Sequence, residues 1–386
     1  MALKTGRRAS IAPFHVMEVM RAAALRERTG GDVLHLEVGQ PSTSAPKGVL
    51  EAARRALAED DLGYTLALGI DPLREAIAVH CRNRYGLAVD AARVVVTTGS
   101  SGGFLLAFLA AFDVGDRVAL AMPGYPCYRN ILVALGLVPM TLPVDGATNF
   151  QPTVAMIEAL PADVAGLIVA SPSNPTGTML DPAALADVSA ACRRRGIRLV
   201  SDEIYHGITF GPAVATAAAL DDGNIVVNSF SKYFSMTGWR LGWLLLPDDL
   251  VKPVERLAQN LFISPPTLSQ KAALAAFDCR DELDANVRRY KANRDLLLDE
   301  LPAAGFQDLS RAEGAFYVYA DVVGLANDSE ALCAALLAET GVAITPGIDF
   351  DPERGRRWVR FSFAGATADM AEAARRLKAW RALRRP

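Results

Sequence analysis

The amino-acid sequence predicts an α/β protein in which a mostly parallel seven-stranded sheet is sandwiched by helices and joined to a smaller α+β domain. Three observations predict it. Short, apolar, β-branched segments recur at 93–97, 117–121, 137–141, 166–170, 197–201, 224–228 and 241–246, with helical patterns between them. Most are apolar throughout rather than alternating, which suits strands covered on both faces, and therefore a parallel sheet under two helical layers. Beyond about 285 the pattern restarts on a smaller scale, with strands expected at 315–321, 342–345 and 358–363 and helices at 329–340 and from 367 onward.

A chain of 386 residues can bury a sizeable core and is expected to form two domains. We draw the large domain at 40–285 and the small domain at 1–39 plus 286–386. Apolar residues make up 51%, and the net charge is −3. A mildly acidic chain with dispersed arginines offers no footprint for nucleic acid. Short arginine clusters at Arg375-Arg376 and Arg384-Arg385 suit the last turns of a C-terminal helix. The five cysteines are scattered and form no CxxC, so they read as reduced packing residues of a cytoplasmic protein. The first residues, from Met1 to Arg8, carry no apolar signal core. The longest uncharged run, 94–112, is interrupted by Thr97-Thr98-Gly99-Ser100-Ser101-Gly102-Gly103, so it reads as strand, turn and buried helix rather than a membrane span.

In chain order, residues 10–30 read as a helix with Phe14, Val16, Met17 and Met20 on its apolar face. A strand at 33–38 ends in the turn Gly39-Gln40-Pro41, and His35 within it reads as a packed core histidine. A helix at 47–58 precedes Gly63-Tyr64-Thr65. The next helix has Asp71 as its expected cap, Pro72 in its first turn and Gly86 after its end. After the strand-rich middle, a helical region at about 250–300 is broken near Pro265-Pro266.

Ligands of an open parallel sheet bind outside the carboxyl ends of its strands, and four strand ends carry polar residues there. Gly99-Ser100-Ser101-Gly102 opens an apolar helix, an arrangement that can hold phosphate on free backbone N–H groups. It contains neither a P-loop nor GxGxxG. Ser171-Pro172-Ser173-Asn174-Pro175-Thr176-Gly177 would hold the Asn174 amide rigidly, although a plain turn explains it equally well. Asp202-Glu203-Ile204-Tyr205 places a carboxylate at a strand end, where it could be a helix cap or could keep a pyridine nitrogen protonated.

The fourth end holds Lys232, one of only seven lysines. It lies between an apolar strand and a Gly-Trp-Arg-Leu-Gly-Trp run, with Ser229 and Ser231 before it and Arg240 after it. Desolvation there lowers an amine's pKa and makes it a nucleophile toward carbonyls, while two hydroxyls and an arginine fork suit a dianion. A lysine beside a phosphate site suggests pyridoxal phosphate (PLP). Asn174, Asp202 and Lys232 are spaced by 28 and 30 residues, about one strand–helix–strand unit each.

These motifs resemble those of the fold type I, PLP-dependent aminotransferases of class I/II, the aspartate aminotransferase-like enzymes, and the resemblance runs from about Phe14 to Ala364. By position it implies that Lys232 forms a Schiff base with the cofactor and then carries the substrate α-proton. Asp202 would pair with the pyridine nitrogen, and Asn174 and Tyr205 with the ring oxygen. Ser100, Ser101, Ser229, Ser231 and Arg240 would hold the phosphate, and Tyr125 would stack on the ring. Tyr64 would reach the neighbouring subunit's phosphate, implying a homodimer with shared sites. Arg360 would fork onto the substrate α-carboxylate beside Gly39 and Asn174.

The implied activity is transfer of an amino group between an L-amino acid and a 2-oxo acid. A β-lyase or decarboxylase on the same scaffold, or a PLP-binding regulatory module, are the alternatives. Some aspartate-using relatives carry Gly-Gly-Lys in the phosphate loop, where this chain has Ser101. That departure argues for a neutral or aromatic amino donor.

Overall fold

The computed structural model describes residues 3–384, so Arg385 of the C-terminal arginine pair lies outside the described residues. Helix α1 (His15–Arg28) leads to a two-residue strand β1 (Leu34–His35), then α2 (Lys47–Glu59) and α3 (Asp71–Tyr85). Strand β2 (Val94–Thr97) runs into α4 (Gly99–Ala111), and β3 (Arg117–Met122) into α5 (Pro126–Leu135). Strands β4 (Val138–Pro143), β5 (Val164–Ala170), β6 (Arg198–Asp202), β7 (Ile225–Ser229) and β8 (Gly242–Leu245) complete the set.

Seven of these strands form one sheet in the order β2-β8-β7-β6-β5-β3-β4. Only β8 runs antiparallel to its neighbours. The uninterrupted apolar character of the strands has a direct cause in the two faces. Val94 and Val96 of β2, Leu167 and Val169 of β5, and Val226 of β7 feed one core, whereas Val95, Ile168, Ile225 and Val227 feed the other. With both faces covered, successive positions of the inner strands are core positions, whereas the edge strand β4 keeps Val138 exposed.

The chain then forms β9 (Tyr317–Asp321), β10 (Val342–Ala343), β11 (Thr345–Pro346) and β12 (Trp358–Ser362). The expected single strand 342–345 divides in two: β10 pairs in parallel with β1, and β11 joins β12 and β9 in an antiparallel sheet. The larger core is continuous from Val226 in the seven-stranded sheet to Phe316 and Phe361 beside the smaller one.

Several local expectations change. The first helix begins at His15 rather than at 10, because the Asp349 carboxylate accepts the N–H groups of His15 and Val16, at 3.1 Å each, and fixes the start there. Asp71 is the first residue of α3 and binds Arg74 at 3.0 Å, while Ile70 occupies the cap. Gly86 does end α3 in the left-handed region at φ 67°. His35 is exposed, not packed in a core, since β1 is only two residues long and its ring turns to Glu37 and Glu27. All five cysteines are free, and no helix among the described residues is long and apolar enough to cross a membrane.

Candidate active site

The strands that run parallel place the loops after β2, β3, β5, β6 and β7 on one side of the sheet. There they enclose a cavity of about 240 Å³, closed from the opposite side by α1, β9 and β12. Ser100, Ser101, Tyr125, Asn174, Asp202, Tyr205, Ser231, Lys232, Arg240, Gly39 and Arg360 all line it.

Lys232 follows β7 in a turn anchored from below by aromatic packing. Phe230 meets Trp243 and Phe234 with ring centroids 5.0 Å apart in each case. The Lys232 Nζ donates to the Gly39 carbonyl at 2.7 Å. Burial lowers its pKa to about 8, helped by the positive charges of Arg360 and Arg240 and opposed by Asp202. A substantial neutral fraction near pH 8 makes this amine a competent nucleophile.

Asp202, the last residue of β6, is buried, and burial pushes its carboxyl up to about 6. The Tyr128 hydroxyl donates to its Oδ2 and the Ile204 N–H to its Oδ1 at 3.0 Å, both favouring the carboxylate. Tyr128 was not foreseen. Its signal is the spacing from Tyr125, since a residue three positions on returns to the same helix face.

One end of the cavity is built for a dianion. The helix α4 begins at Gly99, earlier than the turn-then-helix reading, so Ser100 and Ser101 stand in its first turn where N–H groups are free. Arg240 lies against that turn: a Cβ on Gly99, whose φ is +69°, would stand 2.5 Å from its Nη2. Ser101 and Arg240 remain exposed, so this corner is open to one side.

The other end centres on Arg360. Its guanidinium lies 4.4 Å from the Tyr317 ring centroid and 4.8 Å from that of Phe350. Nη1 donates to Asn174 Oδ1 at 2.9 Å and Nη2 to the Glu37 carbonyl at 2.5 Å, while the buried Nε has no partner. A buried cation with an unused donor beside a cavity fits a carboxylate ligand. Tyr317, also not foreseen, touches Tyr205 hydroxyl to hydroxyl at 2.8 Å, and its own hydroxyl fills the space where a Gly39 side chain would go.

Two expected residues lie elsewhere. The Ser229 hydroxyl is buried in the turn, where it accepts the Ser231 N–H at 3.0 Å and donates to the Leu241 carbonyl at 3.1 Å, so it braces Ser231 and does not reach the cavity. Tyr64 is 87% exposed on a surface loop and does not line this cavity.

The sequence pattern of the aminotransferases of class I and II matches residues 31–377. The chain belongs to this family. It is 52% identical over 377 residues to the valine–pyruvate aminotransferase of Mycobacterium tuberculosis, covering 97% of each chain. The crystal structure of an aminotransferase from that organism superposes with a TM-score of 0.98 at 51% identity, covering 99% of this chain and all of the other. The aspartate aminotransferase of Thermus thermophilus with maleate gives a TM-score of 0.92 at 31% identity, covering 98% and 100%.

The protein is therefore a PLP-dependent aminotransferase that moves an amino group between an amino acid and a 2-oxo acid. Its cavity fits that cofactor: a dianion corner at the α4 terminus, a buried carboxylate without a cationic partner at Asp202, and a half-buried, desolvated amine at Lys232.

Proposed function

We propose that this aminotransferase uses a neutral aliphatic L-amino acid, such as valine, as donor and pyruvate as acceptor. The observation that carries the reading is the wall facing Arg360. Phe14, Val16 and Met20 of the α1 region line it, and among the described residues the cations lining the cavity are Lys232, Arg240 and Arg360. Arg240 stands at the dianion corner and Arg360 suits the α-carboxylate, so among the described residues no lining cation is left for a distal carboxylate. An apolar side chain gains from burial there, about 0.8 kcal/mol per CH₂, whereas a buried unpaired carboxylate is penalised. The 52% identical relative named for valine and pyruvate supports the same choice.

When bound, PLP supplies the electron sink for the reaction. In this reading the Lys232 Nζ would hold the cofactor by its aldehyde carbon, and the same Nζ would take the substrate α-proton. Asp202, held ionised by Tyr128 and the Ile204 N–H, keeps the pyridine nitrogen protonated. Ser100, Ser101, Ser231 and Arg240 hold the phosphate, Tyr125 stacks on the ring, Asn174 and Tyr205 bind its oxygen, and Arg360 orients the substrate by its carboxylate. Orientation by Arg360 matters because a reacting bond must be held aligned with the group that takes its proton.

The working unit in this proposal is a homodimer with shared sites. The dianion corner is open at Ser101 and Arg240, and exposed apolar residues border it: Tyr64, Leu66, Leu261 and Ile263. The two segments that carry them are tied by Thr267 Oγ1 to the Gly63 carbonyl at 2.6 Å, and Phe262 packs near Gly102 of α4. A second copy seated on this patch would cover the corner and bring its Tyr64 to the phosphate. The division into domains at 40–285 and 1–39 plus 286–386 belongs to the same proposal, as does a reducing, cytoplasmic setting for the five free cysteines.

The test adds amino acids singly to PLP-loaded enzyme and follows loss of the cofactor's visible absorbance. Valine and its aliphatic neighbours are expected to discharge it at the lowest concentrations. Discharge by aspartate at far lower concentrations than by valine would overturn the substrate assignment.

A further inference from the structure

Behind the cavity lies a buried polar cluster for which the reaction has no direct use. Glu203 and His206 follow Asp202 on the same segment, and both are buried. The His206 Nε2 faces the Ser171 carbonyl at 3.0 Å, and its Nδ1 faces the Tyr85 hydroxyl at 2.7 Å. Tyr85 is the last residue of α3, so this contact joins a helix on the outer layer to the sheet's carboxyl edge. The Glu203 Oε1 accepts the Ala217 N–H at 2.8 Å and the Ser201 hydroxyl at 3.1 Å, and its Oε2 stands 3.3 Å from His206 Nδ1.

The Ser171 carbonyl can only accept, so His206 must carry a proton on Nε2. Burial lowers the histidine's pKa to about 3, which keeps the ring neutral and leaves Nδ1 as the acceptor of the Tyr85 O–H. The Ser171 carbonyl and the Tyr85 hydroxyl thus set the tautomer together. Ser171 is held at its other side too, because its N–H donates to the Asp202 carbonyl at 3.2 Å. Three residues further along the same loop, Asn174 Oδ1 accepts from Arg360.

We infer that Tyr85 and His206 are positioning residues that fix the loop 171–174 by its Ser171 carbonyl, and through Asn174 fix the Arg360 guanidinium for the substrate carboxylate. Without the Tyr85 hydroxyl, the histidine proton can move to Nδ1 and serve Glu203 instead. Nε2 then presents a lone pair to the Ser171 carbonyl, and the loop loses its anchor. The inference rests on Arg360 as the carboxylate ligand.

The experiment measures binding of 3-methylbutanoate, valine's skeleton without its amino group, to the PLP-loaded enzyme. Inorganic phosphate binding to cofactor-free enzyme is the control, since it reports the distant α4 corner. Tyr85→Phe and His206→Leu are expected to weaken the carboxylate about tenfold and leave phosphate within about twofold. His206→Gln, which can keep an N–H toward Ser171, is expected to recover most of the loss. Unchanged carboxylate affinity in Tyr85→Phe and His206→Leu would overturn the inference, as would equal losses for carboxylate and phosphate, or a His206→Gln as weak as His206→Leu. If His206→Leu does not fold, Tyr85→Phe decides alone. Arg360→Gln separates the two readings: if it binds the acid normally, the carboxylate assignment itself falls, and if it alone loses binding, only the positioning network falls.

Discussion

At the scale of single residues the chemistry follows from burial acting on two charges in opposite senses. Lys232 is made easier to deprotonate, at about 8, and Asp202 harder, at about 6. The amine is cationic below about pH 8 and neutral above it. Reaction of cofactor-free enzyme with PLP should therefore accelerate as pH rises and level off above about 8, instead of continuing toward the ordinary lysine value of about 10.4. Stopped-flow absorbance between pH 6 and 10 measures this, and a rate still climbing at pH 10 would contradict it. Tyr128→Phe removes the hydroxyl that favours the Asp202 carboxylate, so PLP affinity should fall by about tenfold, the loss of a hydrogen bond to a charged group worth about 1.5 kcal/mol. An absorbance titration tests it. Tyr128 was legible in principle from its spacing to Tyr125. Tyr317 was not, because nothing local relates it to Tyr205, 112 residues away.

At the scale of elements, α1 and the short segment around β1 work as one brace over the cavity. Asp349 holds the α1 N-terminus, and Phe350 beside it lies under Arg360. Asp349→Ala should loosen the wall formed by Phe14, Val16 and Met20. We expect a loss of about 1 kcal/mol in stability and a higher KM for the amino acid, with phosphate affinity unchanged; melting curves and steady-state kinetics check both. His35 is held protonated up to about 9, chiefly by its hydrogen bond to Glu37, whose own carbonyl receives Arg360. Because the folded value is raised, the stabilisation is complete below about 6.5 and is lost as pH rises through about 9. A melting-temperature series from pH 6 to 10 should slope downward in that window, and His35→Gln should flatten it. The reading of His35 as core rests on a strand spanning 33–38, whereas pairing with β10 stops after two residues.

At the scale of the whole molecule the open dianion corner and the apolar patch beside it support the proposed second copy. Sedimentation should give a dimer of the 41.2 kDa chain. Leu66→Asp together with Ile263→Asp should yield monomers that bind PLP much more weakly, because the corner at Ser101 and Arg240 would be left in water. Monomeric wild-type protein with full PLP affinity would remove the case for shared sites. The Tyr64 assignment is of this kind: its exposure in one protomer is what a residue destined for a neighbour's site would have.

The sequence by itself determined the fold class, the sheet's strands and the gathering of Lys232, Asp202 and Arg240 at the strand ends around one cavity. These reside in local patterns: continuous apolar strands, helix-opening glycine and serines, and spacings of one strand–helix–strand unit. Tertiary structure alone decided which hydroxyl faces the cavity and which the turn, as Ser231 and Ser229 divide the roles. It also decided what flanks Arg360 and how the strand 342–345 splits between two sheets. The surroundings of Arg360 and the split of 342–345 depend on segments hundreds of residues away, and the serines on the turn that brings Leu241 back to Ser229, none of which a local pattern encodes.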